Sequence, residues 1–109
     1  MNLMPKKIRD AFPKWMSTDE KNHKDIPVIV KYFNPCGIGT WYITEFDGKD
    51  RLYGLCCIQM AEFGYVSLSE LEKINVGYGL KIERDLFWKG SLADALKIEK
   101  VLTGTLMGE

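Results

Sequence analysis

Histidine is almost missing from this sequence, and the short motifs of the commonest catalytic and metal sites are missing altogether. The one histidine, His23, lies in a stretch rich in Lys, Asn and Asp, where an exposed residue is more common than a general base or a metal ligand. HExxH, CxxC, P-loop and paired Cys/His spacings are all absent, and these are the patterns that predict zinc or phosphate binding. The sequence therefore predicts no catalytic residue, no cofactor and no metal site, and it favours a non-enzymatic protein.

The sequence also lacks an excess of either charge and any long apolar run. Its 15 basic and 15 acidic residues cancel, so no overall field attracts the phosphates of nucleic acid, although a local basic patch can still do so. No apolar run is long enough to span a bilayer or to form a signal peptide. We therefore expect a soluble protein that binds no membrane and whose partner is a protein or a nucleic acid.

Cysteine is scarce, and its spacing is not that of a disulfide framework. Cys36, Cys56 and Cys57 make an odd number, and the adjacent pair lies in a strand-like run whose successive side chains point to opposite faces. Reduced cysteines, and hence a cytoplasmic location, are the simplest interpretation.

The sequence does contain a succession of short strand patterns and two capped helices. Runs of β-branched and aromatic residues, or of alternating apolar and polar ones, predict five strands. They cover residues 27–33, 40–46, 51–59, 63–66 and 82–88. Ser67 with Glu70 predicts the start of one helix and Ser91 that of another, whereas Gly54 predicts a bulge or a close backbone approach. The predicted fold is an α+β single domain: a mainly antiparallel sheet of four to five strands with two or three short helices packed on one side.

The beginning of the chain differs from the rest. Residues 1–25 are polar and interrupted by Pro5 and Pro13, which predicts an N-terminal arm that can form a short helix over residues 6–12. The basic excess of this arm can contact an acidic partner, but termini and charge runs are more often simply solvated. Residues 26–109 make up the predicted α+β domain, with a C-terminal helix at about residues 92–102.

Four carboxylates offer a second interpretation, in which the protein is an enzyme. They are Glu45, Asp47, Glu83 and Asp85. Two carboxylates about 5–10 Å apart can hydrolyse a glycosidic bond or hold a divalent cation, so a carboxylate-based, metal-dependent hydrolase or nuclease is an alternative. Arg84 lies between two of these acids, and a structural cluster of ion pairs is the better-supported interpretation.

Aromatic residues offer a third interpretation, a single-stranded nucleic-acid-binding module. If several of them shared one exposed face, bases could stack on them while Lys31, Arg51 or Arg84 contacted the phosphates. Aromatic residues in strands are more often core residues or cross-strand pairs. The set is Trp41, Tyr42, Tyr53, Phe63, Tyr65, Phe87 and Trp88.

Four segments in the centre of the chain resemble one family of small bacterial proteins. They are residues 41–45 (WYITE) followed by Asp47, residues 54–55 (GL), residues 64–71 (GYVSLSEL) and residues 79–86 (GLKIERDL). The family is an uncharacterised domain of unknown function, serial number twenty-nine fifty-eight, and the resemblance covers about residues 28–87. Because members are often carried on plasmids and conjugative elements, the resemblance implies an accessory protein of mobile DNA. It implies no activity and no catalytic residue.

Together these observations predict a small non-enzymatic binding or accessory protein of a mobile genetic element, acting through a protein or nucleic-acid partner. The candidate binding residues belong to the two segments that combine aromatic and charged side chains. They are Trp41, Tyr42, Glu45, Glu83, Arg84 and Asp85.

Overall fold

The computed structural model describes the backbone of residues 1–103 and the side chains as far as residue 100. Residues 104–109, which the prediction included in the domain, lie outside the described part. Within residues 1–103, no helix combines the length and the apolar character needed to cross a membrane.

A five-stranded antiparallel sheet forms the centre of the fold. The strands, in chain order, are β1 (Val30–Phe33), β2 (Thr40–Phe46), β3 (Arg51–Cys57), β4 (Ala61–Ser67), β5 (Asn75–Gly77), β6 (Leu80–Lys81) and β7 (Glu83–Arg84). The large sheet has the order β4-β3-β2-β1-β7, and β5 pairs with β6 in a separate small sheet. The remaining elements are α1 (Lys6–Arg9), a 3-10 turn (His23–Asp25), α2 (Leu68–Lys73) and α3 (Leu92–Thr103). The predicted α+β class and antiparallel sheet are confirmed.

The helices divide between the two faces of the sheet, whereas we expected them on one side. Leu68 and Leu71 of α2 pack in a buried cluster with Trp41 on the first face. Leu92 and Ala95 of α3 pack in a second cluster, on the opposite face. Because β2 and β3 direct apolar side chains to both faces, each face needs its own cover.

The first residues of the chain contribute to the core rather than forming a solvated arm. Leu3 is only 2% exposed and lies in the first-face cluster, with Ile8 and Phe12 packed against that cluster. The Tyr32 hydroxyl donates a hydrogen bond of 2.5 Å to the Leu3 carbonyl. The sequence did not reveal this packing because a few widely spaced apolar residues in a polar stretch show no periodicity.

Two local predictions are confirmed. Ser67 caps α2 by accepting a hydrogen bond of 3.3 Å from the Glu70 N–H. At Gly54 the register between β2 and β3 shifts, and a Cβ at this position would lie 1.9 Å from the Tyr42 carbonyl oxygen. Glycine is therefore required where β2 bulges against β3.

The strand predicted over residues 82–88 is cut short. It contains only β7, because the Asp85 carboxylate accepts a hydrogen bond of 2.9 Å from the Phe87 N–H and so forms a turn. Ile82 lies in the first-face cluster, but Trp88 packs against the second. A continuous strand would have placed both on one face.

Candidate functional site

The structure separates the six predicted binding residues into two groups. Three lie on β2, in the middle of the sheet, with exposed fractions of 6%, 0% and 2%: Trp41, Tyr42 and Glu45. Three lie on or next to β7, at the outer edge, and are half-buried: Glu83, Arg84 and Asp85. Only the second group is accessible to a partner.

The two aromatic residues of β2 have structural roles. Trp41 packs in the first-face cluster. The Tyr42 ring meets Trp88 edge-on at 5.3 Å between ring centres, and its hydroxyl donates a hydrogen bond of 2.8 Å to the Glu99 carboxylate. Burial and then the Glu99 carboxylate raise the pKa of Tyr42 well above its ordinary value, so this hydroxyl stays protonated at physiological pH.

Glu45 attaches the N-terminal segment to the sheet. Its carboxylate accepts hydrogen bonds from the backbone N–H groups of Met16 and Thr18 and from the Thr18 hydroxyl. Hydrogen bonds to several donors compensate for burying a charge. The Glu45 carboxylate therefore stabilises the fold and is not accessible to a ligand.

The four carboxylates of the hydrolase alternative are not brought together. Asp47 stabilises the turn between β2 and β3 by accepting hydrogen bonds of 2.8–3.0 Å from the N–H groups of residues 49–51. Although burial opposes the shift, these hydrogen bonds hold the pKa of Asp47 below its ordinary value. Glu83 lies at the other end of the sheet, about 20 Å away along the length of β2. Within the described residues, no three His, Cys, Asp or Glu side chains are grouped as metal ligands would be.

The aromatic residues do not form one platform. Of the seven candidates, Tyr65 and Phe87 are the two that are largely exposed, at 57% and 92%. Tyr65 belongs to the edge strand β4, whereas Phe87 follows the opposite edge strand, β7. Neighbouring strands lie about 4.8 Å apart, so about 19 Å separates these edges. Two successive stacked bases could not reach both rings.

One hydrogen-bonding side of the β7 backbone is not paired with another strand. The Asp85 N–H donates a hydrogen bond of 2.9 Å to the Lys31 carbonyl, so this peptide group faces β1. Successive N–H groups of a strand point in opposite directions, and the Arg84 N–H accordingly points away from the sheet. It contacts the Met1 thioether sulfur at 3.1 Å, and such a sulfur is a weak acceptor.

The charged side chains at this edge are unequally partnered. Lys31 Nζ lies 3.6 Å from the Asp85 carboxylate and 5.2 and 5.3 Å from the ring centres of Tyr42 and Trp88. Arg84 differs, because its buried Nε has no hydrogen-bond acceptor and no described carboxylate lies within 4.0 Å of its guanidinium. Buried donors are normally satisfied, so the Nε of Arg84 is an exception among the described residues.

Two cavities flank the end of β7. A cavity of about 500 Å³ has Phe33 and Phe87 in its lining, and another of about 400 Å³ has Ile8 in its lining. Residues 84–86 line both cavities. This short segment is therefore the wall between two concave surfaces.

Leu86 and Phe87 complete the candidate site, which we call the β7 edge and define as residues 83–87. Their side chains are 62% and 92% exposed. The alternating pattern predicts a strand for both residues, and the turn at Asp85 is what exposes them. An Asp two residues before Phe87 is the sequence signal that could have indicated this turn.

The sequence model of one family matches residues 3–98, which is most of the chain. The chain belongs to that family, described as Protein of unknown function (DUF2958). The resemblance inferred over residues 28–87 is thereby confirmed, and the DUF2958 match extends it to the N-terminal segment and to part of α3. No curated protein and no solved structure matches the chain.

Proposed function

We propose that this DUF2958 protein is a small non-enzymatic binding protein and that its partner is a protein that contacts the β7 edge. The observation that carries the proposal is the exposure of Leu86 and Phe87 beside the buried, unpartnered Nε of Arg84. Adjacent exposed apolar side chains mark interaction sites, and arginine and aromatic residues contribute much of the energy of protein interfaces.

The charges of the β7 edge favour a protein over a nucleic acid. Glu83 and Asp85 lie on either side of Arg84, and Lys31 is already paired. Within residues 83–87, a phosphate backbone would meet two carboxylates and one cation, whereas nucleic-acid binding depends on an excess of cations. The wide separation of Tyr65 and Phe87 gives no support to base stacking.

A carboxylate-based hydrolase or nuclease is the less supported alternative. The Glu45 carboxylate is used by donors of residues 16 and 18. Asp47 lies about 20 Å from Glu83 along the sheet, which is beyond the roughly 5–10 Å at which paired carboxylates cooperate.

The same proposal places the protein in the bacterial cytoplasm as an accessory protein of a mobile genetic element. The family resemblance seen in the sequence supports the mobile-element context. Three free thiols, on Cys36, Cys56 and Cys57, support a reducing compartment.

An amide-shift titration of the isotope-labelled protein tests the proposed function. The added ligands are single-stranded DNA, duplex DNA, Mg²⁺ and a pool of heptapeptides selected on the protein from a random displayed library, each at low and moderate salt. We expect the peptides to shift the amides of residues 83–87 and the other ligands to leave them unchanged. Salt-sensitive shifts with DNA at these residues would replace the protein partner by nucleic acid, and focused shifts with Mg²⁺ would favour the hydrolase.

A pair of exposed apolar residues provides the matched control. Phe87→Ser should weaken peptide binding, whereas Ile38→Ser, at a position that is 74% exposed in the loop before β2, should not. If both variants bound the pool equally, or if no peptide shifted the β7 edge, the proposed site would be wrong.

A further inference from the structure

We infer that the β7 edge takes its partner as an added β-strand whose acidic side chain pairs with Arg84. This inference rests on the proposed function and specifies the chemistry of the partner: an extended segment with the pattern apolar–acidic–apolar. The backbone geometry of β7, the charge of Arg84 and the aromatic lining of one cavity each contribute one part of this pattern.

The backbone of β7 supplies the reason for strand addition. The Asp85 N–H donates its hydrogen bond to β1. Among the described residues, the outward Arg84 N–H contacts only the Met1 thioether. A peptide carbonyl is a stronger acceptor than a thioether, so the backbone of an extended segment can replace Met1 at this position. Free sheet edges bind extended peptides in this way, with main-chain hydrogen bonds giving affinity and flanking pockets giving specificity.

Arg84 supplies the reason for an acidic residue in the partner. Its buried Nε lacks an acceptor, and Asp85 is already paired with Lys31. Glu83 is adjacent in the strand, so its side chain points to the opposite face. Nε itself is shielded from solvent, so a carboxylate from outside the chain would pair with the terminal N–H groups of this half-buried side chain, and such charge-assisted pairs are the strongest hydrogen bonds in proteins.

Strand alternation places the apolar residues of the partner. In an added strand, the residue opposite Arg84 shares its face, and the residues on either side of it share the face of Glu83 and Asp85. On that face lies the cavity of about 500 Å³, with Phe33 and the exposed Phe87 in its lining. The two residues that flank the acid are therefore expected to be apolar.

Peptide selection followed by binding measurements tests this inference. Heptapeptides are selected from a random displayed library on the full chain, and one enriched peptide is synthesised together with a version in which Asp or Glu is replaced by Asn or Gln. We expect enrichment of apolar–acidic–apolar sequences and a loss of about tenfold or more in affinity when either the peptide acid is neutralised or Arg84→Gln is introduced. Lys49→Gln, at an exposed lysine in the β2–β3 turn, is the matched control and should not change the affinity.

Two further readouts separate strand addition from other contacts at the same place. Cross-strand nuclear Overhauser effects between the peptide backbone and the Arg84 amide are expected only for an added strand. Arg84→Glu should reject the acidic peptide and accept one with Lys in its place. If Arg84→Gln did not fold, the neutralised peptide measured on the unaltered chain would still decide the role of the acid.

The possible failures are distinguishable. Peptides that shift residues 83–87 but show no acidic preference, or no cross-strand effects, would overturn the inference and leave the proposed function standing. Peptides that shift no β7-edge amide would overturn both. A concentration-dependent dimer that shifts the same amides without any peptide would identify a second copy of the chain as the occupant and would also overturn the inference.

Discussion

The β2 half and the β7 half of the predicted binding patch contain similar residue types in opposite surroundings. β2 is central, with a strand on each side and a cover on each face, and its Glu45 carboxylate satisfies three donors of the same chain. β7 is a two-residue strand at the margin, and its Arg84 Nε is buried without an acceptor. The position of a residue within the sheet, rather than its type, decides whether its polar group is used in folding or remains for a partner.

Glycine substitutions are expected to give the largest difference in stability between a central strand and an edge strand. Gly54 on β3 and Gly64 on the edge strand β4 are directly paired. A Cβ at Gly54 would lie 1.9 Å from the Tyr42 carbonyl oxygen, whereas one at Gly64 would meet nothing within 4 Å. Gly54→Ala should lower the free energy of unfolding by about 3 kcal/mol or more, and Gly64→Ala should change it by no more than about 0.5 kcal/mol. Urea denaturation measures both, and equal effects would contradict the described difference.

Substitution of two glutamates, one in the central strand and one at the edge, is expected to give the next largest difference in stability. Glu45→Ala would leave the donors of residues 16 and 18 without their acceptor, so we expect the free energy of unfolding to fall by about 2–4 kcal/mol. Glu83→Ala removes a half-buried carboxylate at the margin and should change it by no more than about 0.5 kcal/mol. The measurement is again equilibrium denaturation, and a stable Glu45→Ala protein would show that the N-terminal segment is held by other contacts.

The smallest change in the free energy of unfolding is expected at the β7 edge. Whether the free energy of unfolding rises or falls there is more informative than the size of the change. Arg84→Met removes a buried donor that has no acceptor, so the free energy of unfolding should stay the same or rise by up to about 1 kcal/mol. Lys31→Met removes the pairing with Asp85 and the contacts with the Tyr42 and Trp88 rings, and should lower it by about 0.5–1 kcal/mol. A clear loss of stability in Arg84→Met would indicate a structural role for Arg84 and weaken the argument for a ligand.

The sequence predicted local structure better than it predicted exposure. The cap at Ser67 and the close approach at Gly54 are confirmed because each depends on a few neighbouring residues. The burial of Trp41 and Glu45 could not be predicted, since it depends on which strands become neighbours and on residues far away in the chain. The β7 edge was found only in part, because a single turn at Asp85 changes the direction of every side chain after it.

The burial of Leu3 constrains the order in which this protein can be completed on the ribosome. Leu3 shares a core with Ile82, which lies far from it along the chain. Leu3 is synthesised well before Ile82, and its burial site is incomplete until β1, β2 and Ile82 have all been synthesised. Contacts between such distant parts of a chain also form slowly. During synthesis, the apolar residues of the N-terminal segment therefore remain available to chaperones and proteases until the last strand of the sheet has emerged.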